Sequence, residues 1–296
     1  MSKPTVLSFG EVLWDLFPDS RVIGGAPFNF AAHLSKLGAE VTFVSAVGQD
    51  ELGESAAEQI RAMGMEDTCV SRLADYVTGF CKVTLQDGTP SYDLKRDVAY
   101  DHIPFPENAP AQVDALYCGT LASRMEGSFA TLKRLLREVK AGEVFFDVNI
   151  RGNDWSAELL REVLPFTTVL KFSREEAGVL AEALALPLGE DLCLSMCKAL
   201  ADAYGNLRQI LVTLDKDGSF VYLTADGTIL PSPKPHSKAI STVGAGDSFS
   251  ACYVYNLLTG ADTETCIRRA TALSDYVVTR LGAVPEYPAD LIPRIK

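Results

Sequence analysis

The octapeptide Ser241-Thr242-Val243-Gly244-Ala245-Gly246-Asp247-Ser248 sets two glycines and a carboxylate at the mouth of an apolar segment, Phe249 to Leu258. Glycines so spaced let successive backbone N–H groups point into one small space, and the free amides and dipole of a following helix add positive potential. That is the layout of an anion site. A carboxylate is out of place if the site only holds an anion, but it fits if it must take a proton from a nucleophile attacking that anion. Asp247 would be that base, with Gly244, Ala245 and Gly246 supplying the amides. Alternatively Asp247 merely caps the helix, since Asp is a favoured N-cap residue.

Further stretches hold candidate groups. Asp15 follows the first apolar run, and ligands of open α/β sheets collect beyond the carboxyl ends of strands; it also reads as a solvated loop acid. Gly24-Gly25-Ala26-Pro27-Phe28-Asn29-Phe30 leads into an amphipathic segment ending at Leu37, with Gly38 as its stop. Its glycines allow close backbone approach, and Asn29 both donates and accepts, which suits a sugar hydroxyl. Asp147 to Arg151 places polar groups at a strand's carboxyl end, where Arg151 meets a phosphate or hydroxyls, or else pairs with an acid at the surface. Ser173 and Glu176 have the spacing of a capping box, and a carboxylate at Glu176 is also placed to hold a metal's hydration shell.

Composition narrows the chemistry. The 296 residues are 47% hydrophobic and 22% charged, which is globular and long enough for one large α/β domain or two ordinary ones. A net charge of −12 without a Lys/Arg-rich block argues against nucleic acid or an anionic membrane as partner. An anionic substrate then needs local help from helix dipoles, a few basic side chains and a divalent metal. No apolar run reaches the roughly 18 residues of a membrane span, and Glu11 and Asp15 stand where a signal peptide would be apolar, so a cytoplasmic protein is expected. The seven cysteines lack metal-ligand spacing to the three histidines. Cys193 and Cys197, on a predicted helix, read as reduced packing thiols.

The elements that must position these groups alternate. Strands are predicted at Thr5–Gly10, Val41–Val47, Val113–Cys118, Glu143–Val148, Thr168–Phe172 and Gln209–Leu214, the last apolar enough to be buried on both faces. Helices are predicted at Glu126–Lys140, Phe249–Leu258 and about Thr263–Arg280, with hairpins at Asp217-Gly218 and Asp226-Gly227. The series implies an α/β doubly wound, mainly parallel sheet with right-handed crossovers. Between Cys69 and His102 the texture turns β-rich around Asp87-Gly88, which suggests a small sheet standing off as a lid, or an antiparallel edge on the main sheet. The expected division is a large domain of residues 1–10, 31–68 and 103–296, with a lid of residues 11–30 and 69–102.

Gly24-Gly25-Ala26-Pro27-Phe28-Asn29, with Gly38 and Gly48, resembles the amino-terminal signature of the ribokinase-like (PfkB) carbohydrate kinases, and Thr242-Val243-Gly244-Ala245-Gly246-Asp247 resembles their carboxy-terminal one. The likeness runs from about Val6 to Ala283. Gly10 to Asp15, and Asp147 to Arg151 with Trp155, are similar to fructokinases within that family. The resemblance implies an ATP-dependent kinase that phosphorylates a primary hydroxyl of a small sugar, first of all position 6 of fructose. By that resemblance Asp15, Gly24, Gly25, Asn29 and Arg151 hold the sugar, and Asp247 is the base. Lys171, Thr213 and Gly218 serve the nucleotide, and Glu176 orders Mg2+ through water. A homodimer through the lid is a family expectation. Ser241 stands where the family commonly has an aspartate that helps bind a monovalent cation, so K+ dependence stays open. Cys252, Ser173, Asp215 and Thr271 are further departures. Other acceptors consistent with the pattern are 2-keto-3-deoxygluconate, ribose or a nucleoside, and a catalytically silent sugar sensor is the non-enzyme reading. A dinucleotide oxidoreductase is disfavoured, because no G-x-G-x-x-G follows the first strand.

Overall fold

A computed structural model describes residues 3–86, 89–187 and 189–296. In chain order, β1 (Thr5–Phe9), β2 (Leu13–Leu16) and β3 (Arg21–Gly24) precede α1 (Ala26–Leu37) and β4 (Glu40–Gly48). Then come α2 (Glu51–Ala62), β5 (Val70–Leu73), β6 (Gly79–Gln86) and β7 (Thr89–Leu94), followed by β8 (Gln112–Gly119), α3 (Glu126–Glu138) and β9 (Lys140–Asp147). The rest is α4 (Ala157–Val163), β10 (Val169–Ser173), α5 (Arg174–Leu184), α6 (Leu192–Ala203), β11 (Gln209–Thr213), β12 (Ser219–Leu223), β13 (Ile229–Pro231), α7 (Ala245–Leu258), α8 (Thr263–Val277) and α9 (Ile292–Ile295).

The main sheet has nine strands in the order β13-β12-β11-β10-β9-β8-β1-β4-β5. From β5 to β11 every pairing is parallel, and β11, β12 and β13 add an antiparallel edge. The chain winds from β1 through β4 to β5, then returns to β8 on the other side of β1. That reversal opens a crevice beyond the carboxyl ends of β1 and β8, the usual ligand position in open α/β sheets.

Alternation along the strands builds the two faces. Leu7, Leu116, Phe146 and Ile210 pack with Leu132, Leu160, Leu180 and Met196, from α3 to α6, on one face. The neighbours Val6, Tyr117, Phe145 and Leu211 pack with Phe30, Leu34, Tyr253 and Ile267, from α1, α7 and α8, on the other. Successive strand residues point to opposite faces, so strands sandwiched by helices must be apolar throughout. Ile210, Leu211 and Val212 are accordingly all buried.

A second sheet has the order β3-β2-β6-β7, with β2 parallel to β6 and the outer pairs antiparallel. The expected lid boundaries need correction. Val70–Leu73 pairs with β4 and extends the main sheet, and α1 begins at Ala26 with its apolar face in the main core. The small sheet therefore draws on residues 13–24 and 79–94 rather than 11–30 and 69–102. The Asp87-Gly88 hairpin signal lies outside the described residues. Helix α3 ends at Glu138, and Lys140, assigned to it from the sequence, opens β9. All seven cysteines are free and buried, as expected of packing thiols.

The two sheets are joined by a buried ion-pair cluster. Arg124, in the turn before α3, donates to Asp101, to Asp154 and to the carbonyl oxygen of Lys95, just past β7. Its side chain is 1% exposed and that of Asp101 is not exposed at all.

Candidate active site

Helix α7 starts earlier than its apolar run suggests. Its N-cap is Gly244, and Asp247 lies inside the first turn rather than capping it. Gly244 has φ +80, and a Cβ there would meet Ala283 at 2.7 Å, so only glycine fits both the angle and the space. The Ala245 amide closes back on the Thr242 carbonyl oxygen. Among the described residues the amides of Gly246 and Asp247 have no partner, as expected of a first helical turn. Gly244 N–H likewise has no acceptor among the described residues, so of the anion hole expected from Gly244 through Asp247 only the Ala245 amide is taken.

Asp247 is half-buried and its carboxylate Oδ2 accepts from Asn29 Nδ2 at 2.8 Å. Burial pushes its pKa up to about 6; the Asn29 hydrogen bond, Lys171 and Arg151 oppose that rise and the Asp147 charge adds to it. A carboxylate accepts only, so the contact fixes the Asn29 amide with nitrogen towards Asp247 and oxygen away. Asn29 Oδ1 is then buried and without a partner among the described residues. A buried acceptor left open beside a half-buried carboxylate is a place for a ligand hydroxyl, which can donate to one oxygen or the other.

The Gly24-Gly25 turn sets Asn29 in place. Gly25 is the N-cap of α1 with φ +113, and a Cβ there would lie 2.5 Å from the Glu11 carbonyl oxygen. Glu11 Oε1 accepts the Ala26 amide at 3.2 Å. Burial pushes the Glu11 carboxyl up to about 7. The sequence reading missed Glu11 as a site residue: it weighed this acid against a signal peptide and otherwise carried it only within the Gly10 to Asp15 stretch, although it lies two residues past β1 at the sheet's reversal. Asp15, on β2, is half-buried beside Gly24 of β3, where a Cβ would lie 3.5 Å from Asp15 Oδ2. Burial raises its pKa, and its carboxylate has no hydrogen-bond partner among the described residues.

Beneath the turn, Lys171 Nζ pairs with Asp147 Oδ2 at 2.7 Å, and both side chains are buried. Tyr117 and Ser250 hydroxyls also donate to Asp147, at 3.4 and 3.3 Å. Lys171 lies close under Gly246, where a Cβ would stand 3.4 Å from Nζ. Its ammonium therefore stands next to the glycine turn. Glu176 Oε1 accepts from the Ile150 amide at 2.6 Å and Oε2 from that of Ser173 at 2.7 Å. The capping box is present. Each oxygen keeps lone-pair capacity for a water, so the two readings of Glu176 are compatible.

Thr213, Gly218 and Arg151 line one open cavity of about 720 Å³ that runs up to Ala245 and Gly246. Residues Thr271, Ser274 and Asp275 of α8 form another wall; Thr271 was expected beside the nucleotide from the resemblance, while Ser274 and Asp275 showed in the sequence only as the polar face of an amphipathic helix. Asp275 accepts from the amides of His236 and Ser237 and so holds the rim. Asp247, next in the chain after Gly246, faces Asn29 instead. One turn of backbone therefore lines the open cavity with Ala245 and Gly246 and sets the Asp247 carboxylate beside Asn29.

A mainly parallel nine-stranded sheet with a second, four-stranded sheet, and a glycine turn that leads into a helix with a carboxylate in its first turn, define a ribokinase-like architecture. The chain belongs to the pfkB family of carbohydrate kinases, whose model matches residues 8–290. Over 97% of its length, and 95% of the relative's, it is 26% identical to probable fructokinase-4 of Arabidopsis thaliana. The structure superposes with TM-score 0.82 on an ATP-bound fructokinase of Xylella fastidiosa, at 23% identity over 99% of this chain and 98% of that one. It superposes equally, with TM-score 0.82, on the Salmonella enterica aminoimidazole riboside kinase complexed with its riboside and an ATP analogue, at 21% identity over 99% and 100%. Two different acceptors on equally similar folds leave the choice of sugar to the pocket.

Proposed function

We propose that this carbohydrate kinase transfers the γ-phosphoryl group of ATP to a primary hydroxyl of a small sugar, with fructose as first candidate and fructose 6-phosphate as product. The observation that carries the reading is the Asn29–Asp247 pair: one half-buried carboxylate and one open buried acceptor beside amides of the α7 first turn that have no partner among the described residues. The sugar hydroxyl donates to Asp247, which orients it and accepts its proton as the oxygen attacks. Negative charge on the transferring group is met by the Gly246 and Asp247 amides and the nearby Lys171. Asp15, Gly24, Gly25 and Asn29 hold the other sugar hydroxyls. ATP lies along the groove past Arg151, Thr213 and Gly218, an assignment supported by the ATP-bound fructokinase.

Magnesium fits this arrangement as an ion carried by phosphate oxygens and water. Among the described residues no cluster of His, Cys, Asp or Glu is arranged to cage a metal by itself, and Glu176 has spare acceptor capacity for a bound water. When bound, the ion neutralises phosphate charge. Ser241 brings no carboxylate to its loop, and its hydroxyl accepts from Val243, so turnover is expected in K+-free buffer.

The test is a coupled ADP-release screen across fructose, 2-keto-3-deoxygluconate, ribose, tagatose and nucleosides, with the phosphorylated position read by NMR. Fructose is expected to stimulate release most, with phosphate on a primary carbon. A preference for 2-keto-3-deoxygluconate would favour the second reading, in which Arg151 meets the acceptor's carboxylate. ADP release indifferent to every sugar would sink both.

A further inference from the structure

Helix α1 carries a second polar residue one turn beyond Asn29. His33 has no exposed surface, yet both of its ring nitrogens are used. Nε2 lies 2.9 Å from the Ala283 carbonyl oxygen, and since a carbonyl only accepts, Nε2 carries the ring proton. Nδ1 then accepts from the Tyr287 hydroxyl. The imidazole is neutral in this arrangement, in keeping with burial that pulls its pKa down to about 4.

What His33 holds is the backing of the anion site. Ala283 stands directly against Gly244: its Cα, Cβ and carbonyl oxygen would all lie 2.7 Å from a Cβ at that glycine. Lys36, further along α1, reaches the same segment through Glu286 at 2.5 Å and lies over the Tyr287 ring. Glu286 is 92% exposed, so that ion pair adds little, and the buried hydrogen bonds of His33 dominate. Near α7, α1 thus touches the site twice. Asn29 meets the carboxylate of Asp247, and His33, through Ala283, meets the turn that aims the amides.

We propose that His33 is a positioning residue for phosphoryl transfer: by fixing Ala283 against Gly244 it sets the direction of the Gly246 and Asp247 amides, and it registers them to the Asn29–Asp247 pair from the same helix. Displacing such a turn by an ångström changes how the amides meet the transferring oxygens more than how either substrate binds. The signature is a fall in kcat with little change in KM.

The inference rests on the Gly244–Asp247 turn being the phosphoryl site, so the experiment reads turn geometry and turnover separately. Amide hydrogen exchange over residues 241–248, kcat, and KM for sugar and ATP are measured for the parent, His33→Leu, His33→Gln and Tyr287→Phe. In His33→Leu, exchange in 241–248 should rise at least about tenfold while β1, β8 and β9 stay protected. Its kcat should fall by about 10- to 100-fold, with both KM values within about threefold of the parent. His33→Gln keeps an N–H near the position of Nε2 and should recover part of both effects. Tyr287→Phe removes a single oxygen, should shift both readouts the same way by less, and decides the matter should His33→Leu fail to fold. A folded His33→Leu with unchanged exchange in 241–248, or with kcat within about twofold of the parent, overturns the proposal, as does a Tyr287→Phe that leaves both readouts at the parent's values if His33→Leu does not fold. If the parent transfers no phosphoryl group, the functional reading fails, while the exchange data still decide whether His33 holds the turn.

Discussion

Asp247 does its proposed work as a carboxylate, and its environment sets when it is one. Burial holds its pKa at about 6, so the proton-accepting form is lost as pH falls below that value. The acid limb of kcat/KM in a pH profile should therefore turn over near pH 6, and a profile flat down to pH 4.5 would contradict the assignment. Arg151 lowers the pKa of Asp247, so Arg151→Met should move the limb upward. Asp15 belongs to the sugar side in this account: Asp15→Ala should raise the sugar KM by about tenfold or more and leave the ATP KM within about twofold, as loss of a hydrogen bond to one substrate implies. Equal effects on the two would count against a sugar contact. Asp247 and Asn29 were legible in the sequence, because glycine turns before helices announce themselves. Glu11 and His33 were not, since a lone acid after a strand and a lone histidine on an apolar helix face carry no pattern until the fold supplies partners.

At the scale of elements, the turn into α1 is held by a buried carboxyl, Glu11, with pH behaviour opposite to that of the usual carboxylate. Glu11 is pushed up to about 7 from an ordinary 4.5, so the folded state binds its proton more tightly than the unfolded chain. Its favourable contribution is full below about pH 4.5 and is lost as pH rises through about 7. Glu11→Gln, neutral throughout and still able to accept the Ala26 amide, should lose less stability than the parent between pH 5 and 8. The difference should be on the order of 2–3 kcal/mol, read from urea midpoints. Arg124 behaves differently, because its guanidinium is buried against Asp101 and Asp154. Arg124→Met leaves Asp101 without its charge partner and should cost about 3–5 kcal/mol in the same measurement; a loss under about 1 kcal/mol would mean the cluster is incidental. Element ends were the least legible part. Lys140 was assigned to α3 because its neighbours continue a helical period, but pairing with β8 claims it for β9. The start of α7 was set too late because Gly244 to Asp247 read as loop, although glycine in the left-handed region is what starts the turn.

Across the whole molecule, the two sheets meet around the Arg124 cluster, and the small sheet carries Asp15 while the main body carries Asp247. Sugar binding between them should lower amide exchange in β2 and β3 without ATP, and exchange that responds only to ATP would remove the small sheet from sugar recognition. The doubly wound sheet was legible because strands buried on both faces must be apolar runs separated by amphipathic helices. The limits of the small sheet were not, since Val70–Leu73 and the strands that follow share the same β-rich composition and only pairing distinguishes them. The account's central claim is that Asp247 accepts the proton of a sugar hydroxyl as phosphate is transferred. Rapid-quench single turnovers with the sugar ranked first in the acceptor screen, comparing the parent with Asp247→Asn, test it most directly. The account predicts a transfer rate at least about 10²-fold lower with ATP affinity unchanged, and a rate near that of the parent would contradict it.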